Sequence, residues 1–208
     1  MENPTNDVRQ SSYALLGDCA KYVFPQLQPF LPNIMPILIK QLDLNAVMDE
    51  QIENGFSVVN NACWSVGEIA IQHGKGMAPY VQQLFQRLLD IIGNPEVPQS
   101  VNENAGIALG RLGLENAEAM APHLAMFSAQ FLNSMETVDY TEEKASAFMG
   151  FTLIVGRNPQ ALEKDLIHFF RVIARYFQRM SFYKTDYHDE LHALFVQVML
   201  SIGPTFTP

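Results

Sequence analysis

The sequence has 208 residues and a formal net charge of −9, with 48% hydrophobic and 17% charged residues. This apolar fraction excludes an intrinsically disordered chain, and the length allows one domain or two small ones. The negative charge argues against direct binding to nucleic acid, which depends on clustered Lys and Arg, and favours basic partners. The two cysteines are too few for a disulfide framework and suit the reducing cytosol or nucleus.

The N-terminus has no basic flank followed by an apolar run. No stretch reaches about 18 consecutive apolar residues, the length needed for a transmembrane helix. We therefore expect neither a secretory signal nor membrane insertion.

A small residue followed five positions later by a glycine recurs in four helical segments, with the glycines at Gly17, Gly67, Gly110 and Gly150. A fifth segment carries Val198 at the equivalent position. Successive positions lie 50, 43, 40 and 48 residues apart, which matches HEAT or armadillo repeats of about 40–47 residues better than shorter helical repeats. We expect the small residues to let neighbouring helices approach closely.

An amphipathic stretch after the first of these segments predicts a partner helix over residues 27–42. Pro32 and Pro36 fall inside it and are expected to bend it, because proline removes a backbone donor and crowds the preceding turn. The residues from Asp43 to Gly55 predict an acidic surface loop.

Three further amphipathic stretches alternate with the glycine segments, and breakers such as Gly93-Asn94-Pro95 and Asn158-Pro159 separate them. They are VQQLFQRLLDII, HLAMFSAQFLNSM and DLIHFFRVIARYFQRM. Residues 1–208 are thus predicted to form a single all-α array of repeated helix pairs. The array begins mid-repeat at Asp7 and ends at residues 203–208 without a polar capping repeat, so we expect a fragment of a longer solenoid.

The only tryptophan, Trp64, lies about 200° from Ala62 on a helical wheel, away from the main apolar stripe. Phe56, Asn60 and Glu68 lie eight and four residues before it and four after it, so they share its side of the helix. The pattern predicts an exposed aromatic surrounded by amide and acidic groups.

Residues at fixed offsets from the repeat glycines predict a groove that is mostly acidic or amide in character, because equivalent positions of stacked repeats line one surface. Seven residues before the glycine are Gln10, Asn60, Glu103 and Glu143. Six before it are Ser11, Asn61, Asn104 and Lys144, and one after it are Asp18, Glu68, Arg111 and Phe151. Side-chain amides bind an extended peptide backbone, and an indole stacks on Arg or Lys. The predicted ligand is an extended basic peptide.

Two structural alternatives stay open for these residues. Trp64 packs beneath a neighbouring helix in the first, since tryptophan is usually largely buried. In the second, Asn60, Asn61 and Asn104 form hydrogen bonds between adjacent repeats.

A hydrolytic metal site is the enzymatic alternative, because His188 and His192 lie one helical turn apart. The metalloprotease pattern requires Glu directly after the first histidine, where Asp189 stands. No nucleophile or phosphate-loop motif occurs. We therefore expect a protein that is not an enzyme and uses no metal or cofactor.

Four segments together resemble the C-terminal HEAT repeats of the transportins, karyopherin-beta import receptors for proline-tyrosine nuclear localisation signals. They are DVRQSSYALLGD, VVNNACWSVGEIAIQHG, NENAGIALGRLG and TEEKASAFMGF, and they extend over residues 6–160. The resemblance implies a right-handed HEAT-repeat superhelical solenoid of about four to five helix pairs, with cargo on its inner helices. It also implies import controlled by Ran GTPase, contact with nucleoporins in the full-length protein, and shuttling between cytoplasm and nucleus.

The family's C-terminal cargo surface, which receives the basic or hydrophobic upstream part of the signal, maps to Asp18, Phe56, Asn60, Trp64 and Asn104. Phe56 replaces a smaller aliphatic residue, and the loop at 43–55 is longer than in animal members, which suits a fungal or divergent homologue. The family's Ran-binding surface, its acidic loop and its proline-tyrosine site belong to earlier repeats. We expect weak binding of the upstream epitope without release by Ran; the alternative is a generic HEAT scaffold that binds another folded protein.

Overall fold

The computed structural model describes residues 2–45, 52–180 and 187–202, and within these ranges the regular secondary structure is entirely helical. The described helices are α1 (Asn6–Leu27), α2 (Leu31–Gln41), α3 (Ile52–His73), α4 (Val81–Ile92), α5 (Gln99–Met120), α6 (Leu124–Thr137), α7 (Glu142–Arg157), α8 (Leu166–Met180) and α9 (His188–Ile202). Short 3₁₀ turns connect several of them: Gln28–Phe30, Gly74–Met77, Ala121–His123 and Pro159–Asp165.

The helices form two layers. The glycine-type helices α1, α3, α5, α7 and α9 pack each on the next, and α2, α4, α6 and α8 form the second layer in the same order. This arrangement confirms the predicted all-α HEAT-repeat solenoid, with four helix pairs followed by α9 in the described residues.

Glycine brings the backbones of α5 and α7 into direct contact. A Cβ atom on Gly150 would overlap the carbonyl oxygen of Gly110, and one on Gly110 would lie 2.5 Å from the carbonyl oxygen of Ala147. Real Cβ atoms do not approach backbone this closely, so only glycine fits at these two positions. The expectation that small residues permit close helix approach is confirmed here.

The first helix of each repeat bends or ends six to eight residues after its glycine. The irregular residues are Val23 (φ −138°, ψ 36°), Gly74 (φ +53°), Asn116 (φ −125°, ψ 24°) and Asn158 (φ −148°, ψ 66°). The Asn116 side-chain amide donates to the Gly74 carbonyl over 3.3 Å, and that of Asn158 donates to the Ala121 carbonyl over 2.9 Å. These two hydrogen bonds connect the irregular segments of adjacent repeats.

The predicted helix over residues 27–42 is interrupted. A 3₁₀ turn occupies Gln28–Phe30, and α2 begins at Leu31, so Pro32 falls in the first turn of α2. The N–H groups of a first turn have no partner within the helix, so proline costs no helical hydrogen bond there. The predicted bend at Pro32 is therefore wrong, whereas Pro36 does lie inside α2.

The predicted loop from Asp43 to Gly55 is wrong at its end, because residues 52–55 belong to α3. Residues 46–51 lie outside the described residues, as do residues 203–208. No helix in the described ranges is long and apolar enough to cross a membrane.

We expect Gly150→Ala to lower the free energy of unfolding by about 1–3 kcal/mol, because the new methyl group forces α5 and α7 apart against backbone. Chemical denaturation followed by circular dichroism measures this. The matched control is Gly156→Ala in the same helix, an exposed position where the methyl group would meet only a Val198 side-chain carbon at 3.1 Å. Equal stability of the two variants would contradict the backbone contact.

Candidate peptide-binding site

Three consecutive helices of one layer carry the five predicted cargo-binding residues. Asp18 lies on α1, Asn104 lies on α5, and α3 between them carries Phe56, Asn60 and Trp64 at four-residue steps. Because α1 and α5 both pack against α3, the five residues lie on adjacent helices of one layer. We call this set the α1–α3–α5 surface.

Trp64 is half-buried, and its six-membered ring lies against Gly17 of α1. A methyl group on Gly17 would overlap the Cζ3 and Cε3 atoms of the indole. The neighbouring-helix contact that the sequence left open is therefore present, although part of the side chain stays accessible to solvent. A tryptophan in this position contributes both packing and an exposed ring surface.

Asp18 is the residue after Gly17, and it is exposed. It forms no ion pair within the described part of the chain. A carboxylate that forms no ion pair among the described residues thus follows Gly17, the residue that the indole of Trp64 contacts.

Three asparagines of α3 and α5 form hydrogen bonds between repeats, as the second structural alternative required. The Asn104 side-chain amide donates to Asn60 Oδ1 over 3.0 Å, and that of Asn61 donates to the Gln10 carbonyl over 3.1 Å. Asn60 and Asn104 are both half-buried. Their mutual hydrogen bond does not use the amide hydrogens of Asn60 or the side-chain oxygen of Asn104.

Phe56 does not extend the exposed aromatic face, because its side chain is only 7% exposed. The prediction of outward exposure is wrong for this residue. It lies instead in the wall of a cleft of about 200 Å³. Gln10, Asn60, Pro98 and Val101 also line this cleft.

Glu68 and Arg111 were predicted to line the groove, but both are buried at 4% exposure. Arg111 Nη1 lies 2.7 Å from Glu68 Oε1, and Arg111 Nε donates to Ser146 Oγ over 2.9 Å. The Glu68 carboxylate is therefore neutralised inside the solenoid and adds no negative charge to its surface. The sequence could have indicated this ion pair, since Glu68 and Arg111 each directly follow the repeat glycine and lie in adjacent repeats.

The two histidines of α9 lie against an aromatic ring. The imidazoles of His188 and His192 lie 5.5 and 5.1 Å from the Phe177 ring, each edge to face. In the described ranges no group of three or more His, Cys, Asp or Glu residues is placed to hold a metal ion.

Comparison with known proteins identifies relatives for most of the chain. Importin subunit beta-2 of Schizosaccharomyces pombe is 41% identical over 82% of this chain, and Homo sapiens Transportin-1 is 37% identical over 84%. Dictyostelium discoideum Transportin is 30% identical over 87%. The chain belongs with the transportins, in the karyopherin-beta family.

This transportin-related chain spans 18% of the length of the first two relatives and 20% of the third. No protein-family model matches it. The resemblance stated from the four sequence segments is confirmed by these relatives.

We expect Arg111→Met to lower the free energy of unfolding by about 3–5 kcal/mol, because it leaves the Glu68 carboxylate buried without its partner. Adding Glu68→Leu to this variant should recover much of the loss. The control is Arg157→Met, whose ion pair with Glu118 is exposed and contributes about 0–1 kcal/mol. A similar small loss in both single variants, measured by urea denaturation, would argue against a buried pair.

We expect Gly17→Ala to change the emission of Trp64, because the methyl group displaces the indole from α1. Trp64 is the only tryptophan, so excitation selective for indole reports on this contact alone. Gly93→Ala serves as the control, since Gly93 lies at the end of α4 and its new methyl group would meet the Leu89 carbonyl of its own helix. Unchanged emission in the Gly17 variant would contradict the packing of Trp64.

Proposed function

We propose that this chain is the part of a nuclear import receptor that binds an extended basic segment on the α1–α3–α5 surface. The segment is the basic or hydrophobic upstream epitope of a proline-tyrosine nuclear localisation signal. Relationship to the transportins supports the receptor role. One observation carries the site: the exposed Asp18 directly follows Gly17, the residue against which the half-buried indole of Trp64 packs.

The Asp18 carboxylate and the Trp64 ring together suit a guanidinium or ammonium group. A cation over an indole gains about 0.5–2 kcal/mol, with more when the pair is desolvated. Arg suits this site better than Lys, since its planar head group stacks on the ring while its N–H groups donate to the carboxylate. The net charge of −9 adds long-range attraction for a basic segment.

The rest of the surface suits the backbone and the apolar part of such a segment. The Asn60 amide hydrogens and the Asn104 side-chain oxygen complement the C=O and N–H groups of an extended peptide. The cleft beside Phe56 and Val101 takes an apolar side chain, because aromatic and aliphatic groups line part of its wall.

The longer protein supplies the remaining steps in this proposal. Ran GTPase and nucleoporins contact repeats outside this chain, and the receptor shuttles between cytoplasm and nucleus. Binding of the upstream epitope alone is weak, because the segment is disordered when free and pays its ordering entropy on binding.

We expect Asp18→Lys to weaken binding of an Arg- and Lys-rich peptide with a downstream Pro-Tyr by about tenfold, since it puts like charge beside the bound cation. Isothermal titration calorimetry measures the affinity at low and high salt. Added salt should weaken peptide binding by the unsubstituted protein, because salt screens the attraction between opposite charges.

The matched control is Glu118→Lys, which makes the same charge change on α5 at a carboxylate whose side chain is 85% exposed. Equal weakening by both variants would mean that general attraction, and not the α1–α3–α5 surface, holds the peptide. If the folded chain binds no peptide but captures a folded protein, the scaffold function replaces the proposed one.

A further inference from the structure

Helix α8 is strongly basic in an otherwise acidic chain. Its sequence, LIHFFRVIARYFQRM, contains Arg171, Arg175 and Arg179 at four-residue steps and no acidic residue. Residues spaced by four lie along one side of a helix, so the three guanidinium groups form a stripe. The charge of this helix is opposite in sign to that of the whole chain.

Part of the stripe borders a cleft of about 320 Å³ between α6, α7 and α8. Six of the residues that line it are Glu136, Tyr140, Lys144, Arg175, Gln178 and Arg179. Three are cationic and one is anionic. This cleft is separate from the α1–α3–α5 surface, which lies on other helices.

Lys144 is the buried member of the cleft, with 2% of the residue exposed. Its Nζ donates to the Val138 carbonyl over 2.8 Å and lies 4.2 Å from the centre of the Tyr140 ring. The Arg179 guanidinium lies 5.5 Å from the centre of the same ring. Tyr140 thus holds two cations beside the cleft, and the carbonyl uses one of the three N–H groups of Lys144.

The acidic groups near this cluster neutralise it only partly. Glu136 lies 3.5 Å from Arg175 and 3.3 Å from His168, so its charge is shared. Burial lowers the pKa of Lys144 to about 8, although Asp139 and Glu103 oppose the change. Among the described residues, no carboxylate forms an ion pair with the Lys144 ammonium group.

We propose that this cleft binds a phosphoryl group carried on a peptide segment of a partner protein. Three cations and one carboxylate line the cleft, and a phosphoryl group of about −2 offsets this positive excess. Its three oxygens match Lys144 and two arginine forks, whereas a single carboxylate would leave one cation unpaired. The Tyr140 ring restrains Lys144 and Arg179 before the ligand arrives, which lowers the entropy cost of binding.

The test uses a short Gly- and Ala-based peptide with one central phosphoserine, titrated by calorimetry against the full chain. We expect saturable binding that Arg179→Gln weakens at least tenfold, as for loss of a charge-assisted hydrogen bond. The matched control is Arg171→Gln, which removes the same charge from α8 at an exposed position outside the cleft and should change the affinity less than threefold. Equal loss in both variants would overturn the proposal.

Two further readouts separate the possible ligands and locate the site. The phosphopeptide should bind at least tenfold more tightly than the same peptide with Glu in place of phosphoserine, and at least tenfold more tightly than inorganic phosphate. Equal affinity for the Glu peptide would overturn the proposal in favour of an acidic-peptide site. Equal affinity for inorganic phosphate would mean an adventitious ion only. Binding should raise the pKa of Lys144 above about 8, measured by nitrogen-15 NMR of its Nζ, because an anion favours the charged amine. An unchanged value would overturn the assignment of the cleft.

Discussion

The contact between the backbones of consecutive glycine-type helices determines how the solenoid is built. Where Gly110 faces Gly150, no side chain separates α5 from α7, so the helices are as close as their main chains allow. Polar groups trapped at such an interface cannot reach water and must find partners within it. Ser65 meets this requirement by donating to the Tyr13 carbonyl over 2.5 Å, and Arg111 bridges α3 and α7 through Glu68 and Ser146.

The same contact explains the position of Trp64. In two repeats the residue three before the glycine meets the glycine of the preceding repeat: Ala147 packs on Gly110, and Trp64 packs on Gly17. Alanine is covered completely in this position, whereas the larger indole has only part of its surface against α1 and stays half-buried. Packing and ligand contact are therefore compatible uses of one side chain.

The fold was predictable from sequence because hydrophobic periodicity identifies single helices, and the spacing of the glycines shows that the helices repeat. The helices α4, α6 and α8 lie where their amphipathic patterns placed them. The candidate surface was predicted less well, since a helical wheel assumes one buried face. Helix α3 contacts α1, α5 and α2, so Phe56 and Glu68 are buried on sides that the wheel assigned to solvent. Asn60 and Asn104 meet between α3 and α5, and sequence left their mutual hydrogen bond undecided.

Net charge alone does not describe this molecule, because α8 is basic although the chain as a whole is acidic. The exposed carboxylate of Asp18 lies on α1, whereas Arg175 and Arg179 border a cleft on α8, several helices away along the layers. In the two proposals, the Asp18 carboxylate attracts a basic segment, and Arg175 and Arg179 attract an anionic one. The two proposed sites use different helices, so ligands of opposite charge would not compete for the same residues.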